Sequence, residues 1–270
     1  MNPRSLRFFS AVAVLALATA LLAGGASGRQ DRQGRAQAQV TVFAAASLTD
    51  VFPAIDSAQK FSFGGSNALA TQITNGAPAD VFASANTTLP AQLFAKGLVD
   101  RPVNFTRNTL VIVVPKSNPA GIHTPYDLAK PGVKIVVANS AVPVGSYTLQ
   151  ILKNMALTSK VTPNFVSQET DVREVLAKVA LGQADAGFVY STDAKTVPGQ
   201  VTVIKMPAWA QPKITYAMAV VSRSPNKTDA QAFINKVLSK AGQAQMLKFG
   251  FLPLVKPAAK KPPKIKHLKK

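Results

Sequence analysis

The chain has 270 residues, no cysteine and only two histidines, His123 and His267. Without cysteine, the chain cannot form a disulfide bond, a thiolate metal site or a lipidated-cysteine anchor. Two histidines give little support to histidine-based catalysis or a histidine metal site. The formal net charge of +19 would indicate a nucleic-acid partner if the basic residues lay on one folded face.

The basic residues are instead concentrated at the two ends of the chain. Five arginines precede residue 38, and seven lysines lie in residues 256–270, where they alternate with proline and alanine. Such a composition cannot bury a core, so we predict a disordered basic tail at 256–270. The part between the ends keeps 19 basic and 11 acidic residues, a charge of about +8 that suits a protein attracting an anion.

Residues 1–28 have the pattern of a secretory signal peptide. Arg4 and Arg7 precede an apolar run from Phe8 to Ala23, and small residues follow. The run is short for a membrane span and lacks the flanks of one. We predict a signal peptide at 1–28, a polar linker at 29–38 and a periplasmic or extracytoplasmic location. Cleavage near Ala26 or after Ala38, and retention of the segment as an anchor, stay open.

Strand-like and helix-like segments alternate between residues 39 and 255. The apolar, β-branched runs predicted as strands are Val40–Phe43, Val81–Ala83, Leu110–Val114, Lys134–Ala138, Gly187–Tyr190, Val201–Ile204 and Tyr216–Val221. The segments with helical spacing are Ala68–Thr74, Leu89–Lys96, Tyr147–Met155, Val172–Ala180 and Ala230–Lys240. This alternation predicts an α/β fold with mostly parallel sheets and helices on both faces.

Four segments have the pattern of a helix N-terminus. Val40–Asp50 reads V-T-V-F-A-A-A-S-L-T-D, in which a strand delivers Ser47 to a helix start. The others are G-G-S-N at Gly64–Asn67, V-P-V-G at Val142–Gly145 and T-D-V-R at Thr170–Arg173. The first N–H groups of a helix have no partner within it, so they favour a bound anion. An N-cap closing an ordinary βα unit is the alternative for each segment.

The order of these segments, followed by G-F-V-Y-S-T-D-A at Gly187–Ala194, resembles the molybdate-binding periplasmic proteins of bacterial ABC importers. The resemblance runs from Val40 to about Leu254. Its most specific pieces are F-A-A-A-S-L-T-D, G-A-P-A-D-V-F at Gly76–Phe82, D-V-R at Asp171–Arg173 and F-V-Y-S-T-D-A. It implies a type II periplasmic binding protein with two α/β lobes and a cleft between them. Lobe one would comprise 39–114 and 217–255, and lobe two 115–216.

The same resemblance implies the contacts of a bound oxyanion. Ser47 and Ser66 would bind by hydroxyl and backbone N–H, Val144 and Val172 by backbone N–H, and Tyr190 by its phenol. The ligand would be molybdate or tungstate, and the metal would be held within its oxyanion without side-chain ligands. No cofactor and no catalytic residue are implied. The partner would be an ABC permease, and the protein would be a monomer that binds no nucleic acid.

Simpler interpretations of these residues remain open. Ser66 would merely cap a helix, and Tyr190 would be a core tyrosine with a satisfied hydroxyl. Asp171 and Arg173 would be charges of a first helical turn on an exposed face. The stretch from Ser47 to Ser66 contains Pro53 and is several residues shorter than the family pattern. Either the first helix is truncated or the second strand is reduced to about Lys60–Phe63.

Enzyme functions find little support in the sequence. It has no G-x-x-x-x-G-K loop and no G-x-G-x-x-G after a strand. We therefore predict a binding protein without enzymatic activity. Two alternatives to a molybdate receptor stay open. The first is the same fold binding sulfate, phosphate or a chelated metal, and the second is a secreted module whose lysine tail contacts anionic envelope surfaces.

Overall fold

The computed structural model describes residues 38–254. The predicted signal peptide, most of the predicted linker and the lysine tail lie outside these residues. The described part contains ten strands in two five-stranded sheets. They are β1 (Thr41–Ala45), β2 (Lys60–Gly64), β3 (Val81–Ser84), β4 (Val103–Asn108), β5 (Leu110–Pro115), β6 (Ile135–Ala138), β7 (Phe165–Glu169), β8 (Ala186–Tyr190), β9 (Val201–Lys205) and β10 (Ile214–Val220).

Nine α-helices accompany the strands in this part of the chain. They are α1 (Val51–Ile55), α2 (Ser66–Thr74), α3 (Thr88–Ala95), α4 (Pro143–Asn154), α5 (Thr158–Val161), α6 (Val172–Ala180), α7 (Ser191–Ala194), α8 (Lys227–Leu238) and α9 (Lys240–Lys248). Short 3-10 helices lie at Ala46–Leu48, Pro125–Ala129, Thr162–Asn164 and Ala208–Ala210. Within residues 38–254, no helix has the length and apolar character that a membrane crossing requires.

The two sheets define two lobes. Lobe one, residues 38–108 and 214–254, has the strand order β2-β1-β3-β10-β4, and lobe two, residues 110–205, has the order β7-β6-β8-β5-β9. Only β10 in the first sheet and β5 in the second run antiparallel to their neighbours. The other four strands of each sheet point the same way, so the prediction of a two-lobe α/β fold with mostly parallel sheets is confirmed.

The chain crosses between the lobes earlier than the sequence predicted. It leaves lobe one at Thr109, because β5 already pairs with β8 and β9 of lobe two. It returns before Ile214, because β10 pairs with β3 and β4 of lobe one. The predicted boundaries after Val114 and Tyr216 therefore fall inside β5 and β10. Both strands are buried along their whole length, and a continuous apolar run carries no signal of the sheet that it joins.

Five further strands and α-helices escaped the sequence analysis: β4, β7, α5, α7 and α9. The two strands lie at sheet edges and expose polar side chains, so their apolar alternation is weak. The short stretch before Ser66 is explained by α1, which has only five residues. The second strand, β2, runs from Lys60 to Gly64, within one residue of the predicted Lys60–Phe63, so the short helix and the short strand are both observed.

Helices pack on both faces of the first sheet, because successive side chains of a strand point to opposite sides. Val42 belongs to the apolar cluster that contains Phe52 of α1 and Phe233 of α8. Phe43, the next residue, belongs to a second cluster with Ile73 of α2. The first cluster also contains buried residues of the lobe crossings and of lobe two, so one continuous apolar core joins the two lobes.

Candidate functional site

The five predicted site residues meet at one cavity between the lobes. Ser47 and Ser66 come from lobe one, and Val144, Val172 and Tyr190 come from lobe two. Each is at most 3% exposed to solvent. The remaining lining residues are Ala45, Ala46, Gly64, Gly65, Ala85, Val142, Pro143 and Asp171. A solute reaches so enclosed a site only when the lobes separate, so the structure represents a closed conformation.

Ser47 does not cap an α-helix, contrary to the sequence analysis. It is the second residue of the 3-10 helix Ala46–Leu48, whose N-cap is Ala45. Its Oγ lies 2.9 Å from the hydroxyl oxygen of Tyr216 in β10. The first N–H groups of this turn still have no partner within it. Ser47 therefore presents a hydroxyl and a backbone N–H without being a cap.

Ser66 is the first residue of α2, and Gly65 occupies the cap position without a side-chain cap bond. The Oγ of Ser66 accepts a hydrogen bond of 3.1 Å from the backbone N–H of Ala85. This bond occupies an oxygen lone pair and leaves the hydroxyl proton available for the cavity. The interpretation of Ser66 as a simple helix cap is wrong.

Val144 and Val172 present backbone N–H groups at two further helix starts. Val144 is the second residue of α4, after Pro143, which has no N–H to leave unsatisfied. Val172 is the first residue of α6. The carboxylate of Asp171 accepts from the N–H groups of Arg173, at 2.7 Å, and of the following residue, at 3.2 Å. It thus satisfies the second and third N–H groups of α6 and makes no such bond to that of Val172.

Tyr190 ends β8 and is 1% exposed. Its hydroxyl is buried and has no hydrogen-bond partner among the described residues. Burial raises the pKa of Tyr190 well above that of an ordinary phenol, so the hydroxyl keeps its proton and is a donor. A buried phenol normally finds a partner. Within residues 38–254 the hydroxyl lacks the partner that the alternative of a core tyrosine requires, which favours a role in the cavity.

The candidate donors of the cavity are neutral, and the carboxylate of the lining residue Asp171 accepts from N–H groups of α6. Among the described residues that line it, none is lysine, arginine or histidine. The nearby Arg173 is occupied elsewhere: its Nε lies 2.9 Å from the fully buried carboxylate of Asp193, and its Nη2 lies 2.6 Å from Asp50 of lobe one. Arg173 is therefore not a charge on an exposed face, as the sequence suggested. Residues 38–254 contain no group of three acidic, histidine or cysteine side chains placed to hold a metal ion.

Four contributors to this site were missed by sequence reasoning: Ala85, Tyr216, Gly65 and Asp50. Ala85 and Tyr216 each contact a site serine from a distant part of the chain. Gly65 and Asp50 lie in motifs that the sequence analysis quoted, but their partners, Thr170 and Arg173, lie across the cleft. No local pattern reveals such a contact.

Two α/β lobes that enclose a small cavity of neutral hydrogen-bond donors define a solute-binding protein of the two-lobe class. A family model described as bacterial extracellular solute-binding protein matches residues 40–252, and the chain belongs to this family.

Individual relatives agree with this family. The chain is 40% identical over 222 residues to the molybdate-binding protein ModA of Mycobacterium tuberculosis H37Rv, covering 78% of this chain and 84% of that protein. The substrate-binding domain of a putative molybdenum ABC transporter from Clostridium difficile is similar in structure, with 31% identity, a TM-score of 0.59 and coverage of 80% and 99%. The periplasmic molybdate-binding protein of Azotobacter vinelandii has the same fold, with 24% identity, a TM-score of 0.70 and coverage of 79% and 99%.

Proposed function

We propose that this protein is an extracytoplasmic receptor that captures molybdate or tungstate between its lobes and delivers it to an ABC-type permease. The observation that carries the proposal is the hydroxyl of Tyr190, which is buried in the cavity and has no hydrogen-bond partner among residues 38–254. An unpaired buried donor is costly, and a bound acceptor removes that cost. The relatives named above, molybdate-binding proteins and a transporter's substrate-binding domain, support this choice of acceptor and the delivery step.

The neighbours of Tyr190 support an anion with several oxygens. The hydroxyls of Ser47 and Ser66 and the N–H groups of Val144 and Val172 line the same cavity. Backbone N–H groups at helix starts complement a negative charge with fixed dipoles, so a basic side chain is not required. Donors that come from both lobes also explain how the ligand would favour closure, since only the closed form supplies all of them. We infer a role in binding rather than catalysis.

Cavity size, rather than charge, would select among the oxyanions. Molybdate, tungstate and sulfate are all tetrahedral dianions at neutral pH, and sulfate has the shortest bonds to oxygen. In a closed site, a smaller anion leaves some donors out of reach, and each hydrogen bond to a charged group contributes about 1.5–3 kcal/mol. Phosphate in its protonated form brings a hydrogen-bond donor of its own, and the proposed contacts of this site are all donors, so the two do not pair.

Calorimetric titration of the purified mature chain with molybdate, tungstate, sulfate and phosphate tests the proposal. We expect saturable binding of molybdate or tungstate, and sulfate and phosphate weaker by about two decades, the loss of roughly one to two such hydrogen bonds. If sulfate or phosphate competes at equal concentration, the ligand is a different oxyanion. If no oxyanion binds or raises the melting temperature, an envelope-binding role for the lysine tail becomes the better explanation.

Tyr190→Phe tests the observation on which the proposal rests. The substitution removes one donor and keeps the ring in its packed position, where it lies 5.7 Å from the ring of Tyr216. We expect the affinity for molybdate to fall by about one to two decades, because a lost hydrogen bond to a charged group costs about 1.5–3 kcal/mol.

Stability of the ligand-free Tyr190→Phe variant provides the control. The hydroxyl has no partner within the described residues, so its removal should not lower the melting temperature of the free protein. Unchanged affinity in a folded variant would contradict the assignment of Tyr190 as a ligand donor.

A further inference from the structure

We propose that Tyr216 and Asn108 are positioning residues for oxyanion binding, which direct the hydroxyl proton of Ser47 into the cavity. This inference rests on the proposed function, since it assigns that proton to the bound anion. Tyr216 does not line the cavity, so it would act through Ser47 and not as a ligand itself.

Asn108 favours one direction for the hydrogen bond between Ser47 and Tyr216. The distance of 2.9 Å between the two hydroxyl oxygens leaves either one as the donor. The Nδ2 of Asn108 lies 3.4 Å from the hydroxyl oxygen of Tyr216, and an amide nitrogen only donates. The Tyr216 oxygen accepts from Asn108, which directs its own O–H away from the amide, and we assign this proton to the hydroxyl of Ser47 at 2.9 Å.

The orientation of the Asn108 amide is fixed by its other partners. Its Oδ1 accepts from the backbone N–H of Thr109 at 2.9 Å and from the hydroxyl of Ser191 at 3.0 Å. A backbone N–H cannot accept, so the oxygen must be on this side of the amide. The Nδ2 therefore faces Tyr216 and also donates to the Oγ1 of Thr192 at 2.9 Å.

Tyr216 is held rigidly as a donor to Ser47. Its ring is fully buried and makes edge contacts with Phe105 and Phe251, at centroid distances of 6.0 and 5.7 Å. Burial raises the pKa of Tyr216 well above its usual value, so the phenol stays protonated across the physiological range. A neutral, immobile phenol beside Ser47 donates the same bond whether or not a ligand is bound.

Ser47 then uses a lone pair for Tyr216 and keeps its own proton for the cavity. Ser66 has the same arrangement, with the N–H of Ala85 in place of the phenol. The two serines thus become donors by the same principle, since each oxygen already accepts a bond from the protein. The network from Ser47 through Asn108 to Thr192 also crosses from lobe one to α7 of lobe two, next to Tyr190.

A double-mutant cycle measured by calorimetric titration with molybdate tests this inference. Tyr216→Phe should weaken binding by about fivefold to twentyfold, because Ser47 is then free to turn its proton away from the anion. In a Ser47→Ala background the same substitution should change affinity by less than about twofold. A packing defect alone would weaken binding equally in both backgrounds.

Ser66→Ala supplies the matched control. The oxygen of Ser66 is satisfied by Ala85 and not by Tyr216, so Tyr216→Phe should retain its full effect in that background. If Tyr216→Phe fails to fold, Asn108→Ala removes the donor that orients the phenol, and its effect on binding should likewise shrink in a Ser47→Ala background.

The outcomes separate this inference from the proposed function. Binding of molybdate by the parent chain, with additive effects of Tyr216→Phe and Ser47→Ala, overturns only the positioning roles. Absence of molybdate binding by the parent chain overturns the proposed function and the inference with it.

Discussion

Gly65→Ala is expected to abolish tight molybdate binding while both lobes remain folded. A Cβ added at Gly65 would lie 2.3 Å from the backbone carbonyl oxygen of Thr170, a distance that real Cβ contacts essentially never reach. Thr170 belongs to lobe two, so the clash exists only when the cleft is closed. The backbone of Gly65, with φ −61° and ψ 128°, is ordinary for alanine, and lobe one alone would tolerate the methyl group. The other close atom, the Oδ1 of Asn67 at 2.9 Å, ends a side chain that can turn aside.

The expected loss is large because incomplete closure withdraws every donor of lobe two at once. The proposed donors of lobe two are the N–H groups of Val144 and Val172 and the hydroxyl of Tyr190. Each hydrogen bond to a charged group contributes about 1.5–3 kcal/mol, so three of them amount to at least about 4.5 kcal/mol. The affinity should therefore fall by roughly three decades or more.

Titration and small-angle scattering together measure this effect. The parent chain should show a smaller radius of gyration with molybdate, whereas Gly65→Ala should show none of this decrease. Gly64→Ala is the matched control, because its added Cβ meets only Leu69, at 3.9 Å. It should close as the parent does. A Gly65→Ala protein that closes fully on molybdate would show that the contact with Thr170 does not limit closure.

Local patterns predicted the helix starts well but not the contacts made between them. Helix α6 was predicted with its observed bounds, because Asp171 caps it and its apolar residues recur at helical spacing. At Ser47 the same reasoning predicted an α-helix where the chain forms a 3-10 turn. The five-residue α1 with Pro53 follows this turn, and so short a helix depends on tertiary packing rather than on local propensity.

Contacts between distant residues lay beyond sequence reasoning for a physical reason. Ser47 and Tyr216 are 169 positions apart, and Arg173 and Asp50 are 123 apart. Such pairs are set by how the lobes fold and close, and neither partner changes the local pattern around the other. The resemblance supplied the five residues around the cavity as a set. The roles of Tyr216, Gly65 and Asp50 required coordinates.

Near about pH 9, where Asp193 is charged, Arg173→Met is expected to lower the free energy of unfolding by about 3–5 kcal/mol, because it leaves the carboxylate of Asp193 buried without its partner. The Asp193 side chain is fully buried, and the Nε of Arg173 lies 2.9 Å from its Oδ1. The pair joins the D-V-R segment to the F-V-Y-S-T-D-A segment and so fixes α7 against α6. Chemical denaturation with and without molybdate measures the loss.

Two further variants separate the parts of this ion-pair network. Asp50→Asn removes only the cross-lobe partner of Arg173. The Asp50 side chain is 42% exposed, so this substitution should lower the free energy of unfolding by less than about 1 kcal/mol. Arg173→Met combined with Asp193→Asn removes both buried charges and should recover much of the lost stability. Equal losses in the single Arg173→Met variant and in this double variant would show that packing of the arginine, not its charge, is what matters.

The pH dependence of the Arg173→Met deficit identifies the buried carboxyl as its source. Burial raises the pKa of Asp193 from 3.8 to about 7, even though the charge of Arg173 lowers it. A carboxyl with a higher pKa in the folded state binds its proton more tightly when folded, so its contribution to stability falls as the pH rises from about 4 to about 7. In Arg173→Met the guanidinium is absent, so the folded-state pKa of Asp193 rises further. The contribution of Asp193 to stability then continues to fall at higher pH. The loss of unfolding free energy in Arg173→Met should therefore be largest near about pH 9. It should shrink toward about pH 6, where the buried carboxyl of Asp193 in the variant binds a proton and loses its charge. A deficit that is independent of pH over this range would show that Asp193 is not its source.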